Sequence, residues 1–205
     1  MAAHSNNNTK KNLIETAFML FRERGYDDVT VSDICDACGI TKPTFYYHLS
    51  SKEEILSRFY DGVIQDMASR LLDVLAEENY WEQLMACFDT LMETSGHIGS
   101  KLYAQLFIAN LREDQGTFDF RDDLTKMAVR LIERAQKAGQ IRNSSPPRPL
   151  YRAAAHLFEG YELLWCIKKG SFERRRYIRR AMEDIFDTAP AFRSMPLEQE
   201  DNDYV

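Results

Sequence analysis

Between Thr41 and Leu49 the chain gathers a lysine, two threonines, two tyrosines and a histidine into about two helical turns. Lys42 and Tyr46 stand one turn apart and reach the same strip of surface, and Thr44, Tyr47 and His48 add hydrogen-bonding groups beside them. Side chains of this kind suit the base edges in a DNA groove and the phosphates that flank it. A face that only meets water would more often carry Glu and Lys. Phe45 and Leu49, again one turn apart, are the residues of this stretch that look inward.

So short a helix has to be held by others. Upstream, Leu13, Ala17, Leu20 and Phe21 follow the i, i+4, i+7, i+8 spacing of one helix face over Lys10 to Arg24, and Gly25 closes that helix. Asp27 and Asp28 form a turn. Thr30 can cap a second helix through its hydroxyl, with Asp33 three residues on completing a variant of the capping box. Val31, Ile34, Cys35 and Cys38 line the inner face of this helix, and Gly39 supplies the left-handed conformation that stops it. After the single apolar residue Ile40, Thr41 caps the third helix, whose early Pro43 forfeits no hydrogen bond because first-turn amides have no partner. Three short helices with a glycine-containing tight turn between the second and third have the form of a helix-turn-helix.

Downstream, Ile55, Leu56, Phe59, Val63, Met67, Leu71 and Leu75 predict a long helix from Lys52 to near Asn79. Further helices are predicted over Trp81 to Thr94, Lys101 to Arg112, Phe120 to Ala138, Pro149 to Lys168 and Glu173 to Thr188. Gly96 and Gly99, Gly116, and Asn143 to Pro149 punctuate them. The expected fold is therefore all-α. A flexible arm over 1–8 precedes a DNA-binding domain over 9–67, with its helix-turn-helix core at 30–49. A larger helical domain over 68–189 and a mobile acidic tail over 190–205 follow.

Composition narrows the function. With 44% hydrophobic residues in 205, the chain can bury one large core or a small domain joined to a larger one. Its net charge of -6 argues against a surface basic all over for sequence-blind nucleic-acid binding, while leaving room for one local reading face. The polar start and the lack of any run near ~18 apolar residues predict a cytoplasmic protein without a membrane span. Cys35, Cys38, Cys87 and Cys166 are too few for a disulfide framework. Cys35 and Cys38 form a C-x-x-C that reads as reduced core thiols, with thiol sensing the alternative. His4, His48, His97 and His156 lack metal-ligand spacing, so no metal or cofactor is expected. His156 is either a hydrogen-bonder in a pocket or a histidine satisfied at a helix interface. No phosphate loop, nucleophile elbow or catalytic carboxylate pair emerges, and an enzyme is not expected.

Leu20-Phe21-Arg22-Glu23-Arg24-Gly25-Tyr26, Val29-Thr30-Val31-Ser32-Asp33-Ile34, Gly39 through Leu49, and Ser51-Lys52-Glu53-Glu54 together resemble the TetR family of bacterial regulators. Farther on, Ala138-Gly139-Gln140-Ile141, Leu164-Trp165 and Lys169-Gly170-Ser171-Phe172 are similar to weaker features of that family's C-terminal domain. The resemblance implies that Thr30, Ser32, Thr41, Lys42, Pro43, Thr44, Tyr46, Tyr47 and His48 lie where members meet DNA, and that Lys52 meets a phosphate. Lys10 and Lys11, just beyond the arm, are the basic residues there for phosphate or minor-groove contacts.

The resemblance also implies an effector pocket among the central helices, with Met85, Phe88, Tyr103, Phe107, Phe158, Tyr161 and Trp165 as its candidate lining. It further implies a homodimer built on the last two long helices, with Leu157, Phe158, Trp165, Ile178, Met182 and Ile185 as candidates for the seam. The arginines Arg174, Arg175, Arg176, Arg179 and Arg180 read as an ion-pair face. The expected function is a homodimeric repressor released from a palindromic operator by a small, largely apolar or aromatic effector. Two other readings stand beside it. One is an activator or chromosome-organising protein of the same type without an effector, and the other a helical carrier or enzyme with a vestigial DNA-binding segment.

Overall fold

The computed structural model describes residues 2–71, 79–119, 122–171 and 173–194, with side chains left out over 2–8, 63–71 and 122–123. The described residues form helices α1 (Ala2–Arg24), α2 (Val31–Cys38), α3 (Lys42–His48), α4 (Lys52–Leu71), α5 (Tyr80–Ile98), α6 (Ser100–Arg112), α7 (Asp122–Lys137), α8 (Pro147–Ile167) and α9 (Arg174–Ile185). No strand occurs among them; Ile141 and Thr188 make one isolated bridge. No described helix is long and apolar enough to cross a membrane. Leu75, expected on the inner face of the long helix, lies outside the described residues.

The chain forms two compact units: Met1–Asp66 with Lys101–Asp119, and Met67–Ser100 with Phe120–Val205. The first unit therefore takes in α6, which a linear division at residue 67 leaves out. Contacts between α4 and the α6 region explain its membership. Tyr103 donates to the hydroxyl of Tyr60 at 3.4 Å, and Thr117 donates to Ser57 Oγ at 3.2 Å. Phe107 stacks on Phe118 with ring centres 4.6 Å apart. Around α1 to α4, Leu13, Ala17, Phe21, Val29, Ile34, Phe45, Leu49, Ile55 and Leu56 are all buried, and Phe18 stacks on Phe59. α1 starts at Ala2, earlier than the apolar spacing predicts.

The second unit packs α5, α7, α8 and α9 around Trp81, Leu84, Met85, Phe88, Leu131, Ile132, Phe158, Ile178, Met182 and Phe186. α5 runs a turn beyond the predicted Thr94, through Gly96, to a cap at Gly99 with φ 86°. Gly96 thus does not stop the helix, because its amide and carbonyl stay within the α5 ladder and the left-handed turn waits for Gly99. α8 starts at Pro147, so both Pro147 and Pro149 sit in its first turn, where a missing N–H costs nothing. After α9, a 3-10 turn over Pro190–Phe192 leads to residues tied back to the helix. Arg193 Nε donates to the Thr188 carbonyl at 2.8 Å, and Ser194 N–H and Oγ donate to Glu183 at 2.8 and 2.7 Å. Residues 190–194 are thus anchored rather than part of a mobile tail; 195–205 lie outside the described residues.

Candidate nucleic-acid interface

Local chemistry fixes α2 and α3 at both ends. Thr30 sits extended at φ -96°, ψ 163°, and its Oγ1 accepts from the Asp33 N–H. The Asp33 carboxylate answers by accepting the Thr30 N–H at 2.7 Å and the Thr30 hydroxyl at 2.5 Å. Those hydrogen bonds from Thr30 hold the Asp33 carboxyl below its usual range. Gly39 at φ 63° ends α2, and the Ile40 N–H donates to the Cys35 carbonyl at 3.0 Å. Thr41 then caps α3: its Oγ1 accepts from the Thr44 N–H at 3.4 Å and shares a 3.0 Å hydrogen bond with the Thr44 hydroxyl.

Packing sets which side of α3 faces out. Phe45 is 0% exposed and Leu49 2%, so the helix is pinned along that edge. Tyr46 and Tyr47 are 56% and 72% exposed, an arrangement that leaves two large aromatic rings without cover. Thr41, Lys42 and Pro43 are exposed beside them, and Ser32, Thr44 and His48 are half-buried. Burying a tyrosine ring normally stabilises a fold, so two adjacent uncovered rings make this edge a candidate contact surface.

Two expected contacts are placed differently. Lys52 does not project as a free cation. Its Nζ donates to the carbonyls of Tyr26 at 2.7 Å and Val29 at 3.0 Å and lies 4.0 Å from the Tyr26 ring centre. The lysine ties the start of α4 to the α1–α2 turn. The Thr30 hydroxyl is likewise engaged in its cap. Sequence patterns miss the Lys52 tether because its partners are 23 and 26 positions away. They also miss Glu54, which accepts from Ser50 N–H at 2.7 Å and Ser50 Oγ at 2.8 Å and pairs with Arg58 at 3.1 Å.

The seven candidate pocket residues do not form one group. Tyr103 and Phe107 belong to the first unit, with Tyr60 and Phe118. In the second unit Met85, Phe88 and Phe158 are closed into the core, Tyr161 packs partly against it, and Trp165 lies under the Arg174 guanidinium. Candidate seam residues need a similar correction. Ile178 and Met182 are 0% exposed and Phe158 5%, all spent on the subunit's own core, while Leu157 and Ile185 are half-buried against it. The outer face of α8 instead carries Ala153, His156, Gly160, Leu163 and Ile167, with Leu163 40% and Ile167 65% exposed.

Cys35 and Cys38 are free thiols, as are Cys87 and Cys166. Burial pushes both Cys35 and Cys38 up from the usual thiol range, which disfavours the reactive thiolate. Among the described residues no group of three His, Cys, Asp or Glu side chains could hold a metal ion.

A capped pair of short helices, joined by a left-handed glycine turn and presenting an aromatic and basic edge from the second, defines a helix-turn-helix DNA-binding protein. Residues 13–59 match the family model described as bacterial regulatory proteins, tetR family. The repressor KstR2 of Mycobacterium tuberculosis is 27% identical over 151 residues, spanning 71% of this chain and 76% of its own length. EthR of the same organism is 36% identical over 76 residues, 34% of this chain and 35% of its own. A crystal structure of Thermus thermophilus FadR, a TetR-family repressor in complex with lauroyl-CoA, superposes with a TM-score of 0.71 at 17% identity, covering 93% of this chain and 98% of that one. Residues 13–59 thus carry the helix-turn-helix of the tetR family, and the chain is similar to TetR-family DNA-binding transcription regulators over most of its length.

Proposed function

We propose that the protein is a homodimeric repressor that grips a palindromic operator through two copies of α3 and lets go when a small, largely apolar effector occupies the C-terminal helices. The exposed edge of Lys42, Tyr46 and Tyr47 over buried Phe45 carries this reading. In a symmetric pair, two such helices about one DNA turn apart, ~34 Å, would enter successive major grooves. Lys42 and Tyr46 face base edges in this arrangement, while Thr41, Thr44, Tyr47 and His48 serve the flanking backbone.

The outer face of α8 is the seam of the proposed dimer. Ala153, His156, Gly160, Leu163 and Ile167 recur at alternating steps of three and four, the spacing of a helix-packing stripe. Gly160 costs about 1 kcal/mol of helix propensity relative to alanine and has open space where a Cβ would stand. A second α8 crossing at that point gives the missing Cβ a use. The apolar character proposed for the effector is supported by the methionine- and aromatic-rich helices of the second unit. The lauroyl-CoA complex of the Thermus repressor is consistent with it.

The test is a gel shift on a duplex selected from a random library. Tyr46→Ala and Lys42→Ala are each expected to weaken specific binding by roughly 1–3 kcal/mol per subunit, while circular dichroism and sedimentation stay as in the wild type. Wild-type affinity in both variants would refute the reading.

A further inference from the structure

The first turn of α9 is charged against its own dipole. Arg174, Arg175 and Arg176 open the helix with no acidic residue among them, although a helix N-terminus carries partial positive charge and disfavours cations. The N-cap Glu173 offsets part of this by accepting the Arg175 N–H at 3.1 Å, and other helices supply the rest. Arg175 meets Asp89 at 3.3 Å and Glu93 at 3.0 Å, both on α5, and Arg174 meets Glu162 of α8 at 3.0 Å.

The two sets of pairs differ in surroundings. Arg175 is half open to water, whereas the Arg174 and Glu162 side chains are 8% and 1% exposed. Arg174 has other holds besides the carboxylate. Its Nη2 donates to the Met92 carbonyl at 2.7 Å and to Ser95 Oγ at 2.8 Å, and its guanidinium lies 3.5 Å from the Trp165 ring centre. Met92 and Ser95 belong to the last turns of α5, just before Gly99. Beyond that glycine the chain leaves one compact unit, ending at Ser100, and enters the other at Lys101.

Glu162 is poorly compensated for a buried anion. Its Oε1 meets Arg174 at 3.0 Å, and the Ser95 hydroxyl is the other group that favours its charge. The groups that face it are few. α9 offers Arg174; α5 offers Ser95, whose hydroxyl donates to the Met92 carbonyl at 3.0 Å, while Asp89 and Glu93 are engaged by Arg175. On α8 itself stands the Cys166 thiol, pushed up to about 12 by burial and by Glu162. Taking a carboxylate out of water can cost more than one arginine returns. Burial accordingly lifts the Glu162 carboxyl to about 7, and Arg174 and Ser95 draw it back only in part.

We propose that this junction is a proton-responsive latch: neutral Glu162 lets Arg174 bind the start of α9 to the end of α5, and ionised Glu162 loosens that junction and the last turn of α5. The sign follows from linkage. An open junction returns Glu162 to water and to its ordinary value of 4.5, below the buried one. The closed form is therefore fully favoured below 4.5 and loses that advantage as pH rises to about 7, above which no more is lost. With Glu162 neutral, Arg174 keeps the Met92 carbonyl, Ser95 and Trp165.

Native-state hydrogen exchange on the full-length protein tests this without DNA, so its failure is separate from failure of the repressor reading. Between pH 5.5 and 8.5, protection of the amides from Ser95 to Gly99 should fall about thirtyfold after correction for chemical exchange. Glu162→Gln keeps the size and removes the charge, so its protection should stay level and exceed the wild type at pH 8.5. Level protection in the wild type, or weaker protection in Glu162→Gln at pH 8.5, would overturn the proposal. Carbon-13 NMR of the wild-type Glu162 carboxyl needs no variant. A midpoint near neutrality supports the latch, and one in the ordinary carboxyl range overturns it.

Discussion

Replacing Lys52 with methionine keeps the aliphatic stem and removes only the ammonium. The lysine's hydrogen bonds to the Tyr26 and Val29 carbonyls, at 2.7 and 3.0 Å, are charge-assisted, and such bonds contribute roughly 1.5–3 kcal/mol each. The Tyr26 ring 4.0 Å away adds about 0.5–1 kcal/mol. Against these stand up to about 2 kcal/mol of side-chain entropy, part of which the substituted methionine would lose as well, and the competition of water at a half-buried site. The net expectation is a loss of about 2–3 kcal/mol, read as a lower urea midpoint at fixed protein concentration with an unchanged m-value. A lysine that only touches a phosphate behaves otherwise: removing it leaves stability within about 0.5 kcal/mol and lowers the salt slope of DNA binding by about 0.9 per subunit. Unchanged stability together with that drop in slope would show that the tether to the α1–α2 turn is not what Lys52 does.

Thr41→Ala removes the cap of α3 and is expected to cost about 1 kcal/mol in stability, with weaker operator binding in the same gel shift, because α3 is held at that end by the threonine hydroxyl. Met182→Ala should cost about 2–5 kcal/mol of subunit stability without changing the association of folded subunits by analytical ultracentrifugation. Ile167→Asp should do the reverse, giving folded monomers; a dimer that survives Ile167→Asp would move the seam off the outer face of α8.

Features set by neighbours in sequence were legible from the residues alone. The Thr30–Asp33 box, the left-handed Gly39, the Thr41 cap and the inward pair Phe45 and Leu49 all act over one to four positions, so spacing suffices to find them. What spacing could not supply is the partner of a long side chain. Lys52 looks like any surface lysine at a helix start until its carbonyl acceptors are known. The membership of α6 was hidden for the same reason, since Tyr60 and Tyr103 are 43 positions apart.

α8 shows why residues expected at a seam are instead buried in the subunit's own core. Apolar residues surround the helix almost completely, so hydrophobicity alone does not say which side meets the subunit's own core. Polarity then becomes the natural guide, and it turns Glu162 toward water. In the structure Leu150, Ala154, Phe158, Glu162 and Cys166 form one buried file at steps of four, with the carboxylate inside it. Arg174 reaches in from α9 to meet Glu162 there. The same phase leaves Gly160, Leu163 and Ile167 on the opposite side, exposed on their own subunit. The buried ion pair and the uncovered stripe are thus two consequences of one helix rotation. Exchanging Glu162 for a neutral isostere should leave the stripe, and so the association of subunits, unchanged.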